Sequence, residues 1–186
     1  MTQLEIESNA LYLLVIEKDG IFQRLAEDGI QNRFRCIMIT ACGYPNIATR
    51  ALVATLSRVL PHLVVLGLAD YNPFGVELLL TYKFGSRSMS WEGANYHVPD
   101  LRWLGLRAGQ VYDSEVADTS FETLSVVDDR KLNSLLRLPH LPDSFRTELE
   151  EMSTGNKKCD LEALYVNGIG QFTTFIETMI SGRHYI

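Results

Sequence analysis

The sequence predicts an α/β protein in which a mostly parallel sheet is flanked by helices and followed by a helical C-terminal extension. Three observations carry that expectation. Apolar runs at residues 10–16, 36–40 and 63–69 each end on an acidic tip or a turn and are followed by a segment of helical period, the alternation that parallel sheets require. The run at 63–69 shows no polar alternation, as expected of a strand covered on both faces. From residue 111 the texture turns acidic and helical, with Pro139 and Pro142 as punctuation.

The stretch HLVVLGLADYNPFG, residues 62–75, organises the rest. Its apolar run stops on Asp70 and breaks into Tyr71, Asn72, Pro73 and Gly75. Proline cannot continue a strand ladder but suits the first turn of a helix, so Asp70 and Asn72 stand just beyond the carboxyl end of a central strand. Ligands of open α/β sheets bind at that edge, which makes Asp-x-Asn a candidate cation site. An Asx-turn or helix cap is the other reading of the same residues.

Residues 10–16 form a second strand that runs into Glu17, Lys18, Asp19 and Gly20, and Ile21, Phe22 and Leu25 then recur at helical spacing before Gly29. Strand, acid and helix repeat the plan seen at Asp70. If the two strands are near neighbours, Glu17 and Asp70 come to one edge, where a shared cation keeps both carboxylates ionised. Residues 36–40, CIMIT, are a third strand ending in Ala41-Cys42-Gly43-Tyr44-Pro45-Asn46, and a helix follows over 47–60. Gly43 suits close backbone approach, but no G-K-[ST] follows, so this is no P-loop. Residues 74–84 read as a helix closed by Gly85, residues 86–95 as a polar turn-rich segment, and 101–104 as a fourth strand carrying Arg102 outward. Trp91 and Trp103 are expected in the core. Helices are expected near 128–137, 144–152, 161–166 and 172–180, an exposed loop at 153–158, and no strand after residue 111.

Composition narrows the class. No apolar stretch reaches the ~20 residues that span a bilayer, the N-terminus has no signal-peptide pattern, and an intracellular protein is expected. Cys36, Cys42 and Cys159 have no C-x-x-C spacing and suggest neither disulfides nor zinc. Net charge is −6, yet residues 31–110 carry eight basic and four acidic groups. Arg33, Arg35, Arg50, Arg58, Lys83, Arg87, Arg102 and Arg107 are either a phosphate-facing surface or scattered solvated charge.

Beyond these local patterns, V-I-E-K-D (15–19), I-T-A-C-G-Y-P-N (39–46), A-T-R (48–50), D-Y-N-P-F-G (70–75), T-Y-K-F-G-S (81–86) and R-W-L-G-L (102–106) occur in order. Together they resemble the meiotic double-strand-break protein family of eukaryotes, relatives of the A-type component of archaeal topoisomerase VI. That resemblance implies a Toprim-type (Rossmann-like) fold, with a Toprim metal-binding domain over residues 8–110 and an acidic, mainly helical extension over 111–186 packed on it. It further implies a nuclear protein that breaks double-stranded DNA in meiosis, as a homodimer or paired with a related A-type subunit, together with a topoisomerase VI B-like subunit, away from membranes. Each copy uses a tyrosine to attack one strand, and the Toprim domain supplies Mg2+ or Mn2+.

By resemblance, Glu17, Asp70 and Asn72 fall on metal positions, with Glu17 and Asp70 catalytic. Lys18, Gly43, Tyr44, Arg50, Lys83 and Arg102 are implied in DNA binding, Tyr44 against the minor groove. Three departures stand out: Asn72 replaces the second acid, Ala41-Cys42 replaces Gly-Lys, and Asn46 replaces Asp. The family's nucleophilic tyrosine lies in a winged-helix module ahead of the Toprim domain, so this chain alone is expected not to cleave DNA. A non-catalytic Toprim module for dimerisation and DNA or partner binding is the alternative. A flavodoxin-like or Rossmann-type small-molecule domain has the alternation but lacks G-x-G-x-x-G after its first strand.

Overall fold

The computed structural model describes residues 6–86, 94–113, 120–165 and 168–186. The expectations for Arg87 and Trp91 lie outside the described residues. Strands β1 (Tyr12–Ile16), β2 (Cys36–Thr40), β3 (Val64–Leu68) and β4 (Arg102–Gly105) form a mostly parallel sheet in the order β2-β1-β3-β4. β1 and β2 are parallel, in register from Tyr12 opposite Cys36 to Ile16 opposite Thr40. The expected α/β fold with flanking helices is the one observed.

The helices are α1 (Asp19–Glu27), α2 (Ile30–Arg33), α3 (Ile47–Val59), α4 (Pro73–Phe84), α5 (Ala108–Asp113), α6 (Val126–Leu136), α7 (Asp143–Gly155) and α8 (Ile169–Ser181). Short 3-10 turns cover Ala94–Tyr96 and Leu161–Tyr165. By contact density the chain divides into two compact units, one of Met1–Gly67 with Leu80–Arg102, the other of Leu68–Leu79 with Trp103–Ile186.

In the first unit, Leu13, Leu14 and Val15 of β1 are wholly buried, which is why that run shows no polar alternation. α1 buries Ile21 and Leu25, one helical turn apart. Gly29, at φ 72°, supplies the left-handed residue that turns the chain into α2. Asn46 caps α3, its side chain accepting from the Thr49 N–H. Arg50 and Tyr82 are among the largest buried side chains of this unit, and burial pushes the Tyr82 phenol well above its ordinary range. Cys36 is also buried, its thiol pushed up to about 11.

The second unit is centred on Trp103, fully buried, with its ring centroid 5.1 Å from that of Phe145. Leu132, Leu135, Leu149, Met152, Phe172 and Ile176 are buried in the same unit. Trp103 also exchanges backbone hydrogen bonds with Ile186, donating at 2.7 Å and accepting at 3.2 Å. α6 begins with a capping box: the Ser125 hydroxyl accepts from the Asp128 N–H, and the Asp128 carboxylate accepts from the Ser125 N–H.

One expectation for this region is overturned. Residues after 111 do form strands: β5 (Phe121–Thr123) and β6 (Lys157–Cys159) pair antiparallel, with Glu122 opposite Lys158. Three residues are too few to show a period of two, and Lys-Lys-Cys carries no β signature. Cross-strand contacts make the pair instead: Lys158 Nζ lies 3.5 Å from the Glu122 carboxylate, and Lys157 Nζ lies 4.8 Å from the Phe121 ring centroid. The exposed loop expected at 153–158 is correspondingly the end of α7, a left-handed Asn156 at φ 48°, and the start of β6.

Candidate functional site

Two tips repeat the strand–acid–helix plan. At the first, Glu17 follows β1 and is half-buried. Its backbone carbonyl accepts from the Gly43 N–H at 2.9 Å, which ties the loop after β2 to the end of β1. The loop folds because Cys42 (φ 54°) and Gly43 (φ 115°) both take positive φ, and the Cys42 N–H donates to the Thr40 hydroxyl. Lys18 is the N-cap residue of α1 and makes no side-chain cap; its carbonyl accepts from Phe22.

At the second tip, Asp70 is only 4% exposed, and its Oδ1 accepts from the Leu161 N–H at 2.8 Å. Tyr71 exchanges two backbone bonds with Cys159, donating at 2.8 Å and accepting at 3.0 Å. The Asn72 N–H donates to the Asp70 carbonyl, and the Asn72 Oδ1 accepts from the N–H groups of Phe74 (3.0 Å) and Gly75 (2.8 Å). Gly75 is required there: a Cβ would fall 2.5 Å from the Asp70 carbonyl oxygen. Asn72 is therefore the cap that starts α4, with Pro73 in the first helical position where its missing N–H is harmless.

A network of ion pairs backs β6, the strand that grips this tip. Asp128 Oδ2 accepts from the Ser125 N–H and hydroxyl and from Lys158 Nζ at 3.1 Å. Burial pushes the Asp128 carboxyl up, but those hydrogen bonds outweigh it and hold the group below its usual range; the same pairing raises Lys158. Lys131, on the next turn of α6, reaches Glu77 of α4 at 2.7 Å and lies 5.3 Å from the Phe74 ring centroid. Sequence reading missed Leu161, Cys159 and Lys158 as supports for Asp70, because backbone donors about 90 residues away leave no local signal.

The residues implied in DNA binding differ in exposure. Tyr44 is 52% exposed and Arg102 lies on the surface, whereas Arg50 is 1% exposed. The Lys83 ammonium donates to the carbonyls of Pro99 and of Leu101 (2.7 Å), and burial lowers its pKa. Of the other basic residues, Arg33, Arg35 and Arg58 are exposed, and Arg58 donates to the Asn95 carbonyl. Arg107 is half-buried, donating to the His184 carbonyl and lying 3.8 Å from the Glu148 carboxylate.

The donor set is hard oxygen, the chemistry that Mg2+ and Mn2+ take. Glu17 and Asp70 each carry carboxylate oxygens of that kind, whereas the Asn72 oxygen is already engaged by two backbone donors. Among the described residues, no three His, Cys, Asp or Glu side chains are grouped to hold a metal ion by themselves. At either carboxylate, water and a phosphate would have to supply the other ligands, which Mg2+ commonly accepts. Among the described residues no helix is long and apolar enough to cross a membrane.

Comparison with known proteins gives this geometry a context. The family model for the TOP6A-Spo11 Toprim domain, shared by the A-type component of topoisomerase 6 and Spo11, matches residues 12–180. Meiotic recombination protein SPO11-2 of Oryza sativa subsp. indica is 38% identical over 186 residues, covering 100% of this chain and 48% of that protein. Meiotic recombination protein SPO11 of Mus musculus is 38% identical over 160 residues, 84% of this chain and 40% of the relative. The A3 subunit of DNA topoisomerase 6 from Oryza sativa subsp. indica is 37% identical over 170 residues, 90% of this chain and 38% of the relative. The chain spans about half the length, or less, of these curated relatives.

Proposed function

The chain belongs to the TOP6A-Spo11 family through its Toprim domain, and on that premise we propose that it is the Toprim part of a topoisomerase VI A-like DNA transesterase that makes meiotic double-strand breaks. Toprim domains generally bind divalent metals; here the cation is Mg2+ or Mn2+, with Glu17 and Asp70 as its carboxylates. A bound cation would neutralise charge at the reacting phosphodiester, and the attacking group is a tyrosine outside this chain. The chain's own contribution is positional. It holds the Asp70 carboxyl at a fixed point and offers Lys18, Gly43, Tyr44 and Arg102 to the DNA backbone and groove. The partners are double-stranded DNA, a B-like subunit, and a second A-type subunit, which meet in the nucleus.

The single observation that carries this reading is the Asp70 tip: a buried carboxylate beyond a central strand, held by a backbone N–H from the C-terminal part of the chain. Two tyrosine hydroxyls that could compete as nucleophiles, those of Tyr71 and Tyr82, are buried. The second reading, a non-catalytic module for dimerisation and DNA or partner binding, draws support from the capping role of Asn72.

The test is incubation of this chain with supercoiled DNA and Mn2+. We expect DNA retention without a covalent protein–DNA adduct, and Mn2+ uptake that Asp70→Ala abolishes. An adduct would overturn the proposal that the nucleophile lies elsewhere. DNA retention without any Mn2+ uptake would favour the non-catalytic module.

A further inference from the structure

We infer that Asn72 is a positioning residue and not a cation ligand: it fixes the Asp70 tip by capping α4, and its amide leaves the site one anionic oxygen short. The inference rests on the cation reading above for its second half, and on hydrogen-bond geometry for its first.

An amide oxygen has two lone pairs. In Asn72 both are engaged, by the Phe74 N–H at 3.0 Å and the Gly75 N–H at 2.8 Å. Because both partners are donors, the atom between them must be oxygen, so the orientation of the amide is set by chemistry. What remains on the side chain is the Nδ2 group, a donor that repels a cation. The backbone of the same residue donates to the Asp70 carbonyl at 2.9 Å, so the cap and the acid share one turn. Gly75 leaves that turn no alternative path, since a Cβ there would fall 2.5 Å from the same carbonyl oxygen. Aspartate at position 72 would cap equally well with one oxygen and present a second, charged oxygen to a cation. Asparagine preserves the architecture of the tip and deletes that oxygen.

The experiment combines Mn2+ calorimetry with thermal melts of the metal-free chain for Asn72→Asp, Asn72→Ser and Asn72→Ala. Asn72→Ala loses the cap, and its Tm should fall by about 2–4 °C. Asn72→Ser keeps a capping oxygen without an amide, and should hold both Tm and Mn2+ affinity within about twofold of the parent. Asn72→Asp should hold Tm and tighten Mn2+ binding by about tenfold or more, or create binding where the parent shows none. Tenfold weaker Mn2+ binding in Asn72→Ser at unchanged Tm would overturn the inference, because the amide oxygen would then be a ligand. An unchanged Tm in Asn72→Ala would overturn the capping role. If no variant takes up Mn2+, Asn72→Asp included, the cation reading of the site fails, while the order of Tm values still decides the cap.

Discussion

The two acidic tips share a local plan and differ in what holds them. The tip after β1 is supported from inside its own α/β unit: the Glu17 carbonyl takes the Gly43 N–H, Glu17 itself is half-buried, and α1 starts without a side-chain cap. The tip after β3 is buried and held on three sides, by Leu161 on the carboxylate, by Cys159 on the Tyr71 backbone, and by Asn72 on the first turn of α4. A buried carboxylate that already accepts a backbone hydrogen bond loses little freedom when it meets a cation. The β3 tip is thus held through its carboxylate, its backbone and its helix cap, and the β1 tip is anchored through its backbone to the loop after β2.

The strongest way to break this contrast is Gly75→Ala. The added methyl meets the Asp70 carbonyl oxygen at 2.5 Å, the Asp70 nitrogen at 3.2 Å and Ala69 Cβ at 3.3 Å, and two of these are backbone atoms that cannot swing away. A loss of about 3 kcal/mol is expected in a denaturant melt. A near-neutral result would mean that the β3 tip is looser than its contacts imply.

Much of this arrangement was legible in the sequence, and the limits are physical. Apolar runs of four or more residues located β1, β2 and β3, and Pro73 and Gly85 marked the two ends of α4. The Asp70-x-Asn72 pattern admitted both a cap and a ligand, and the geometry gives the cap to Asn72. The grip of Cys159 and Leu161 on residues 70–71 was not legible. It consists of backbone groups, which carry no residue signature, on strands too short to show a period. The burial of Arg50 was hidden for another reason: a positive charge reads as surface unless its surroundings are known.

A smaller effect, with a pH signature, tests the support behind β6. Asp128 has its Oδ2 bound by Ser125 and Lys158, so Asp128→Asn should cost about 2 kcal/mol near neutrality. The folded-state carboxyl titrates below its ordinary 3.8, so its stabilisation is complete above that value and is lost as pH falls through the lowered pKa. Lys158 runs the other way. Its raised pKa makes its contribution complete below 10.5 and lost as pH rises through the folded-state value. The Tm gap between parent and Asp128→Asn should therefore be flat through neutral pH and close in the acid range. A gap that persists unchanged at pH 2 would show that the charge of Asp128 contributes nothing.

Gly43→Ala probes the β1 tip and should have the smallest effect of the three. No heavy atom lies within 4 Å of the position a Cβ would occupy, so the methyl meets no steric barrier. The whole penalty comes from holding alanine at φ 115°, about 1 kcal/mol or somewhat more. Unlike Gly75, whose neighbours are backbone, this loop can answer by relaxing φ, at the expense of the Gly43 N–H bond to the Glu17 carbonyl. Relaxation there would free the loop that carries Tyr44 while leaving the Asp70 tip in place. Amide hydrogen exchange separates the two responses: faster exchange at residue 43 with an unchanged rate at Leu161 is expected. Equal acceleration at both would mean that the loosening does not stay within the β1 tip, and the contrast in what holds the two tips would not stand.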